Sequence, residues 1–372
     1  MRIVAAVFRR VVVPFQDVFA TSYGRQAQKD VAIVELITDE GVSGFGECAA
    51  GPAPLYTEET IATAWHMWAE HMLPRLMREA WHSAADLARV HEVLAPLRGN
   101  PMAKAALETA VWDAFAALTG RPLVQLLGGV RTETRSGISI GLQPDIPTLL
   151  GKVEQALQQG YARVKVKIQP GWDVEPLAAI RRAFGDISLA ADANGAYRLA
   201  DLEHLRRLDD LGLAMLEQPF APGDLIHHAR LQQAVRTPVC LDESIRDAHD
   251  VEQAAAVGAC RVVNVKIGRV GGFAEARRVH DACREHGIEV WCGGMMETGI
   301  GRLHALALAS LPGFTMPGDI GPSDRYFAQD VIDPPVAFAR PGVLPIEPVT
   351  GVAARVRRDR LEAWTVERAA FP

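Results

Sequence analysis

Short apolar segments alternate with amphipathic segments along most of the chain. The apolar segments cover about residues 135–142, 162–168, 188–192, 213–217, 238–242, 261–267, 289–293 and 313–318. Between them lie segments with helical spacing, such as IPTLLGKVEQALQQG and GFAEARRVHDACREHG. Strict alternation of strand and helix predicts a parallel sheet, and eight strands are the number that closes a β/α barrel. A doubly wound open sheet is the alternative, but no GxGxxG motif follows a strand, and IGRVGG at 267–272 has the wrong spacing.

The first third of the chain lacks this alternation. Residues 57–80 and 101–119 have helical spacing, and the Leu-Leu-Gly-Gly sequence at 126–129 marks a boundary. The tail after about residue 326 is proline-rich, then charged, and has no obvious place in a barrel. The predicted domains are therefore an α+β N-terminal domain, a barrel and a C-terminal segment that packs back on the N-terminal domain, at 1–128, 129–325 and 326–372.

Composition excludes several classes of protein. The 372 residues are 49% hydrophobic and 23% charged, as in a globular protein, and the net charge of −6 argues against a nucleic-acid binder. No apolar run reaches the length of roughly 18 residues that a membrane span needs. The start, MRIVAAVFRRVVVPF, is interrupted by Arg9 and Arg10, unlike a signal peptide. Five cysteines without a CxxC pair are typical of free thiols, so we expect a cytoplasmic location.

A charged residue closes each of five successive predicted strands. These residues follow one another at intervals of 25, 25, 25 and 24 residues, which is one β/α unit each: Lys167, Asp192, Glu217, Asp242 and Lys266. All five are therefore expected at the carboxyl-terminal mouth of the barrel, where active sites of this fold are built.

The chemistry of these five residues indicates a metal-assisted proton transfer. Three converging carboxylates need a compensating cation, and oxygen ligands without histidine or cysteine favour Mg²⁺, or Mn²⁺, over zinc. Lys167 and Lys266 end strands four apart in a ring of eight, and so lie on opposite walls. A substrate held between them would have one amine on each face of its reacting carbon.

Each residue alone also has an ordinary structural explanation. Asp192 would suit a turn or a helix N-cap, Asp242 would cap the next helix, and Lys266 would suit a surface lysine. Glu217 would serve as an ordinary charge at a strand end. Five coincidences at one register of a repeating unit favour a site.

The motifs at these positions resemble the enolase superfamily. KVK, DAN, EQP, LDES, NVKIGRVGG and WCGGMMETGIG, with FATSYG and PGDIGPSDRYF near the two ends, are similar to those of its muconate-lactonizing subgroup. Within it, the chain resembles N-acylamino acid (N-succinylamino acid) racemases and o-succinylbenzoate synthases. The mandelate racemase subgroup is disfavoured because Lys266 stands where a histidine is expected. The dipeptide epimerase pattern is disfavoured because CGGM replaces an Asp-x-Asp motif.

The resemblance implies a (β/α)₇β-barrel, or modified TIM barrel, with an α+β capping domain built from both chain ends. It also implies a homo-oligomer, in many members an octamer. The residues it implies are Lys167 and Lys266 as acid and base with Lys165 in support; Asp192, Glu217 and Asp242 as Mg²⁺ ligands; Phe19, Tyr23, Ser136, Gly293 and Met295 as substrate-binding residues; and Asn194 and Arg269 as supporting residues.

The activity implied is removal of the proton next to a substrate carboxylate, through an enediolate stabilised by the metal. Racemisation of N-acyl or N-succinyl amino acids by two lysines is the leading hypothesis, together with o-succinylbenzoate synthase activity by dehydration on the same site. The alternatives are o-succinylbenzoate synthesis for menaquinone as the main role, a muconate-type cycloisomerase, or a barrel that only binds its ligand. The substrate is in each case a small carboxylate. Intact Lys167 and Lys266 argue against the pure binder.

Lys165 and Lys167 point to the same face of their strand because side chains alternate. A free lysine has a pKa of about 10.4 and would be mostly protonated at neutral pH. We expect the charge of Lys165 to lower the pKa of Lys167 and so prepare it as a base. Arg269, three residues beyond Lys266, would act similarly on that lysine, or would bind a surface acid.

Overall fold

The computed structural model describes residues 1–21 and 24–372, without the side chains of 17–21 and 24–26. Within them the strands are β1 (Ile3–Thr21), β2 (Gly24–Thr38), β3 (Ser43–Cys48), β4 (Glu133–Arg135), β5 (Gly137–Ile140), β6 (Arg163–Lys167), β7 (Leu189–Asp192), β8 (Met215–Glu217), β9 (Val239–Leu241), β10 (Val262–Val265), β11 (Glu289–Cys292), β12 (Val343–Pro345) and β13 (Thr365–Phe371). The α-helices are α1 (Ile61–Met67), α2 (Leu73–Leu76), α3 (Arg89–Leu94), α4 (Pro101–Thr119), α5 (Leu123–Leu127), α6 (Ile146–Gln158), α7 (Val174–Phe184), α8 (Leu202–Leu205), α9 (Leu225–Ala234), α10 (Ala248–Val257), α11 (Ile267–Val270), α12 (Phe273–Glu285), α13 (Gly299–Leu308) and α14 (Arg358–Ala363).

An antiparallel sheet in the order β13-β1-β2-β3 forms the cap. The last strand of the chain, β13, pairs with the first, so both chain ends contribute to it. Helix α4 packs closely on β3 because Gly44 and Gly46 have no side chain. A Cβ on Gly46 would lie 1.8 Å from the carbonyl oxygen of Ala106, and one on Gly44 would lie 2.2 Å from that of Ala110. The boundaries predicted at residues 128 and 325 stay predictions.

The second sheet is parallel and curls into the barrel, in the order β11-β10-β9-β8-β7-β6-β5. Residues 314–319, which we call the closing segment, fill the eighth position. Phe314 bridges to Val290 of β11, and Gly318 bridges to Ser136 beside β5. Seven strands and a closing segment therefore confirm the barrel prediction. The eighth element is irregular because Pro317 has no amide hydrogen for a ladder.

The barrel interior is filled below its mouth. A buried apolar cluster closes the bottom of the barrel, and its members are Ala190, Met215, Cys240, Val262 and Trp291. Small side chains on β7 and β9 leave space for the indole of Trp291, which donates to the Sγ of Cys240 at 3.4 Å. One charged side chain also lies in this interior: the guanidinium of Arg163, at the start of β6, is 4.1 Å from the ring centroid of Trp291.

The predicted helices are present with one interruption. Residues 57–80 form α1 and α2 with a π-helical segment, Trp68–Met72, between them. Helix α4 spans the predicted 101–119. It is buried around most of its surface, since it lies under the cap sheet, whereas Leu118 near its end is half-buried. In the described part of the chain, no helix combines the length and apolar character needed to cross a membrane.

Candidate active site

The five charged residues predicted from the strand spacing meet at one mouth of the barrel. Lys167, Asp192 and Glu217 are the last residues of β6, β7 and β8, while Asp242 and Lys266 directly follow β9 and β10. The ladder register pairs Lys167 with Asp192 and Asp192 with Glu217, which places consecutive strand ends side by side.

Three of these five residues, Lys167, Asp192 and Lys266, line a cavity of about 540 Å³ between the barrel and the cap. Lys165, Lys167, Asp192 and Lys266 line it from the barrel. Residues 49–57, between β3 and α1, line it from the cap side almost continuously. A cavity of this size holds a small organic substrate.

Lys165 lies one pleat deeper than Lys167 and binds three carboxylates. Its Nζ is 2.6 Å from Oε2 of Glu217, 2.9 Å from Oδ2 of Asp319 and 3.2 Å from Oδ2 of Asp192. Burial lowers the pKa of Lys165, but the neighbouring carboxylates outweigh burial and raise it well above its ordinary value. Lys165 is therefore a fixed positive charge.

Glu217 is a buried carboxyl group whose ionised form is disfavoured by its surroundings. It is fully buried, and burial, followed by the charge of Asp192, raises the pKa of Glu217 to about 8. Its second oxygen, Oε1, accepts a hydrogen bond from the amide of Asn264 at 2.9 Å. Its two oxygens thus contact one cation and one amide.

Lys167 lies at the open side of this cluster. Its Nζ is 2.7 Å from Oδ2 of Asp192 and donates to Oδ1 of Asn194. Asn194 adopts a left-handed φ of 43° and donates from Nδ2 to Oε1 of Glu243 at 2.9 Å. The amide of Asn194 is thereby oriented with its oxygen towards Lys167, consistent with the supporting role expected of it.

Lys266 lies across the barrel mouth from Lys167. Its Nζ is 2.7 Å from Oδ2 of Asp242 and donates to the hydroxyl of Tyr56 at 3.0 Å. That hydroxyl donates in turn to Oδ1 of Asp242 at 3.3 Å. Burial lowers the pKa of Lys266, but Asp242 and Tyr56 outweigh it and raise the pKa well above its ordinary value.

Arg269 binds a buried acid, not a surface one. It is 2% exposed, pairs with Oδ1 of Asp242 and donates from Nε to the carbonyl of Ile245 at 2.8 Å. Burial raises the pKa of Asp242, but Lys266 and Arg269 outweigh burial and hold it well below its usual range. Asp242 is therefore ionised between two cations.

Of the predicted substrate-binding residues, Met295 lines the cavity. Ser136 does not: it is fully buried, and its Oγ donates to the carbonyl of Ile320 at 2.5 Å. Ser139 lines the cavity instead. The backbone of Phe19 pairs with Gln26 in the cap sheet, but its side chain and the whole of Tyr23 lie outside the described residues.

Gly293 is closely packed against its neighbours. A Cβ at this position would lie 2.1 Å from Oδ1 of Asn264 and 2.9 Å from Cγ of Lys266. The neighbouring Gly294 does line the cavity. The side on which a Gly293 side chain would lie is therefore filled by Asn264 and Lys266, and the predicted role of Gly293 in substrate binding stays a prediction.

Besides Ser139, several residues that contact the site were not predicted. Asp319, at the end of the closing segment, binds Lys165 and also Arg163 at 2.8 Å. It continues the strand-end pattern to the eighth position, so the spacing rule could have found it. Tyr56 and Lys29 come from the cap, and Glu243 contacts Asn194 from beyond the end of β9. No sequence pattern indicated these three.

The donor set at the strand ends fits a hard divalent cation. Asp192, Glu217 and Asp242 offer carboxylate oxygens, and the buried Oε2 of Glu243 has no hydrogen-bond partner in the described structure. Within the described residues, however, no three acidic, histidine or cysteine side chains are spaced as a preformed metal site. Lysine and arginine nitrogens contact the carboxylate oxygens.

Two domain families match the chain. Residues 3–128 match the N-terminal domain of mandelate racemase and muconate lactonizing enzyme, and residues 149–359 match the enolase C-terminal domain-like family. The chain is 46% identical to an o-succinylbenzoate synthase of Geobacillus kaustophilus over 96% of this chain and 95% of that protein. It is 44% identical to an N-succinylamino acid racemase of Thermus thermophilus over 98% of both.

Solved structures agree with these sequence relatives. The crystal structure of an enolase-superfamily member from Listeria innocua superposes with a TM-score of 0.95 at 41% identity, covering 100% of this chain and 99% of that one. The resemblance drawn from the motifs is thereby confirmed. The chain belongs to the mandelate racemase and muconate lactonizing enzyme family of the enolase superfamily.

Proposed function

We propose that this protein is a metal-dependent enzyme that removes and returns the proton next to a substrate carboxylate. Its substrates are N-acyl amino acids, N-succinyl amino acids in particular, which it racemises. The observation that carries the proposal is the position of Lys167 and Lys266, four strands apart around one cavity with the carboxylates between them.

Asp192, Glu217 and Asp242 would hold Mg²⁺ or Mn²⁺. The bound cation would supply positive charge next to the substrate carboxylate, where negative charge develops as the α-proton leaves. The choice rests on the oxygen donor set and on the position of the three residues on neighbouring strand ends.

The two lysines move the proton. Unprotonated Nζ of one lysine takes the α-proton on one face of the carbon, and the carbon becomes planar as the enediolate forms. The ammonium of the other lysine then delivers a proton to the opposite face, which inverts the configuration. Lys165, bound to three carboxylates, stays protonated and offsets the negative charge below the reacting carbon.

A dehydration on the same residues is the second activity we propose, since several similar relatives are named o-succinylbenzoate synthase. One lysine removes the proton next to the carboxylate and then gives it to the hydroxyl on the adjacent carbon, which leaves as water. The opposite lysine need not transfer a proton, and its ammonium stabilises the charged or π-rich intermediate electrostatically. Racemisation therefore needs both lysines as proton carriers, while dehydration needs one.

We also propose a cytoplasmic, homo-oligomeric protein. All five cysteines are buried free thiols, which suits a reducing compartment. Size-exclusion chromatography with light scattering would measure the assembly.

The activity is tested by incubating the protein with Mg²⁺ and N-succinyl-L-phenylalanine in D₂O. We expect α-proton exchange by NMR and loss of optical rotation, both abolished by EDTA and restored by Mg²⁺ or Mn²⁺. Absence of exchange, with normal turnover of the synthase substrate, would remove the racemase proposal and leave the dehydration.

The division of labour between the lysines is tested by Lys167→Ala and Lys266→Ala. Each should abolish racemisation, because each removes the proton carrier of one face. Lys152→Ala, on the exposed face of α6, is the matched control and should leave the rate unchanged. Full activity in either active-site variant would contradict the two-base assignment.

A further inference from the structure

The side of the barrel mouth opposite the carboxylates carries two cations. Asp192, Glu217 and Asp242 end β7, β8 and β9, and the closing segment lies four positions from β8, directly across the ring. Lys29 of the cap donates from Nζ to the carbonyl of Met295, after β11, at 2.9 Å. Arg325 donates from Nη2 to the carbonyl of Ser139, on β5, at 2.6 Å. Both side chains thus flank the closing segment, and both line the cavity.

Neither cation is in an ion pair with a described carboxylate. Asp30 pairs with Arg10 at 2.6 Å. Burial raises the pKa of the Glu47 carboxyl and the charge of Lys29 lowers it, but the two are not in ion-pair contact, and Oε2 of Glu47 accepts from Oγ1 of Thr298 at 2.6 Å. Lys29 is only 5% exposed, and a buried charge without a carboxylate in direct contact is unfavourable. The three lysines on the barrel side of the cavity each have a carboxylate within 2.7 Å.

Arg325 is held in place by groups that do not neutralise it. Its guanidinium lies 4.8 Å from the ring centroid of Tyr326 and 5.9 Å from that of Tyr161. Asp319, the closing-segment acid, is already shared by Arg163 and Lys165. Toward the described residues, the guanidinium makes one side-chain hydrogen bond and the ammonium of Lys29 makes one, so each keeps donors for an anion.

We propose that Lys29 and Arg325 bind a second carboxylate of the substrate, at the far end of its N-acyl arm. This assignment rests on the proposed function, which places the reacting carbon between Lys167 and Lys266. A substrate whose α-carboxylate faces β7–β9 directs its remaining arm across the ring, towards the closing segment. A succinyl arm ends in a carboxylate that can form a direct ion pair with these two cations, whereas an acetyl arm does not. Lys29 and Arg325 would thus determine specificity for the acyl group.

The test compares N-succinyl-L-phenylalanine with its N-succinamoyl analogue, in which an isosteric carboxamide replaces the terminal carboxylate. For the unmodified protein we expect a kcat/KM ratio of about 10 or more in favour of the charged arm, the size of a charge-assisted hydrogen bond. Lys29→Met and Arg325→Met should each bring this ratio towards one. Lys29→Arg should keep it, and the exposed Lys152→Met is the matched control. Equal kcat/KM for the two substrates in the unmodified protein overturns the proposal.

A binding measurement separates this proposal from the catalytic one. Calorimetric titration of N-succinylglycine and N-succinamoylglycine, with Mg²⁺ present, reports the arm site without turnover. Selective binding of the charged arm with no racemisation would disprove the proposed function and support the arm site. Racemisation with equal binding of both ligands would support the proposed function and disprove the arm site. If circular dichroism shows that Lys29→Met does not fold, Arg325→Met and the ligand pair on the unmodified protein decide the question.

Discussion

At the scale of single residues, two lysines of one strand face the same way and have different surroundings. Lys165 is 3% exposed and surrounded by Glu217, Asp192 and Asp319. Lys167, at the open end, pairs with Asp192 and lines the cavity. A base must reach its substrate and lose its proton, so the position of Lys167 suits the base and that of Lys165 suits a permanent charge. The effect of Lys165 on the pKa of Lys167 stays a prediction.

Glu108 of α4 is a buried acid far from this chemistry, and it makes stability depend on pH. Its Oε1 accepts from the amide of Ala274 at 2.8 Å, while burial raises its pKa from 4.5 to about 8. The folded state therefore binds a proton that the unfolded state has released at neutral pH. The stabilisation is complete below pH 4.5 and is lost as pH rises through about 8.

We expect Glu108→Gln to flatten this dependence. Urea unfolding between pH 5 and 9 should show the unmodified protein losing roughly 4 kcal/mol more than the variant, because Gln cannot ionise. Parallel pH profiles of the two proteins would show that Glu108 does not carry the effect.

The resemblance placed a substrate-binding serine at Ser136, whereas the serine that lines the cavity is Ser139. Ser139 is paired in register with Lys165, so its side chain enters the barrel. Ser136, three residues earlier, has the opposite facing and bonds to Ile320. Strand boundaries decide facing, and a one-residue error in a strand reverses it. The charged strand ends were predictable because four intervals of nearly equal length fix them together.

At the scale of elements, the apolar segments of the barrel were predictable to within a few residues. Parallel strands buried on both faces are continuous apolar runs, which the sequence displays directly. Prediction was poorer for the closing segment and for residues 57–80. Pro317 interrupts the first, and the π-helical segment Trp68–Met72 interrupts the second. Neither departure alters the hydrophobic period from which the elements were predicted.

The contact between β3 and α4 depends on glycine, and Gly46→Ala tests it. Because the added Cβ would lie 1.8 Å from the Ala106 carbonyl oxygen, the helix must move away from the sheet. We expect a loss of about 3 kcal/mol in the free energy of unfolding, measured in urea. Gly151→Ala on α6 is the control: its Cβ would meet no atom within 4 Å, so the change should stabilise by about 0.5–1 kcal/mol. If Gly46→Ala left the free energy of unfolding unchanged or raised it, as is expected for Gly151→Ala, the close contact between β3 and α4 would be contradicted.

At the scale of the whole molecule, the cavity is built by parts that are distant in sequence. Tyr56 and Lys29 reach it from the cap, whereas its carboxylates come from the barrel. Sequence spacing predicts which residues share a strand end within a repeat, but not which loop of another domain covers that end. The charged strand ends of the barrel were therefore predictable, whereas Tyr56 and Lys29 of the cap were not; the predictions for the side chains of Phe19 and Tyr23 lie outside the described residues.

Glu47 of β3 joins the two parts. Its carboxylate accepts from the amide and hydroxyl of Thr298, at 3.0 and 2.6 Å, and from the amide of Gly301 at 3.0 Å. These donors belong to the first turn of α13, which follows the cavity-lining Met295 and Met296. A residue of the cap thus accepts hydrogen bonds from backbone amides at the start of a barrel helix, as an N-cap side chain would.

We expect Glu47→Ala to loosen the cap from the barrel. Leaving buried amides of α13 without an acceptor should cost roughly 2–4 kcal/mol of unfolding free energy. Hydrogen exchange should accelerate first at Thr298 and Gly301, and KM should rise more than kcat falls, since the lysines themselves stay in place. The exposed Glu154→Ala on α6 is the matched control. Unchanged exchange at α13, with a uniform loss of stability elsewhere, would show that Glu47 supports only its own sheet and that the two parts are joined by other contacts.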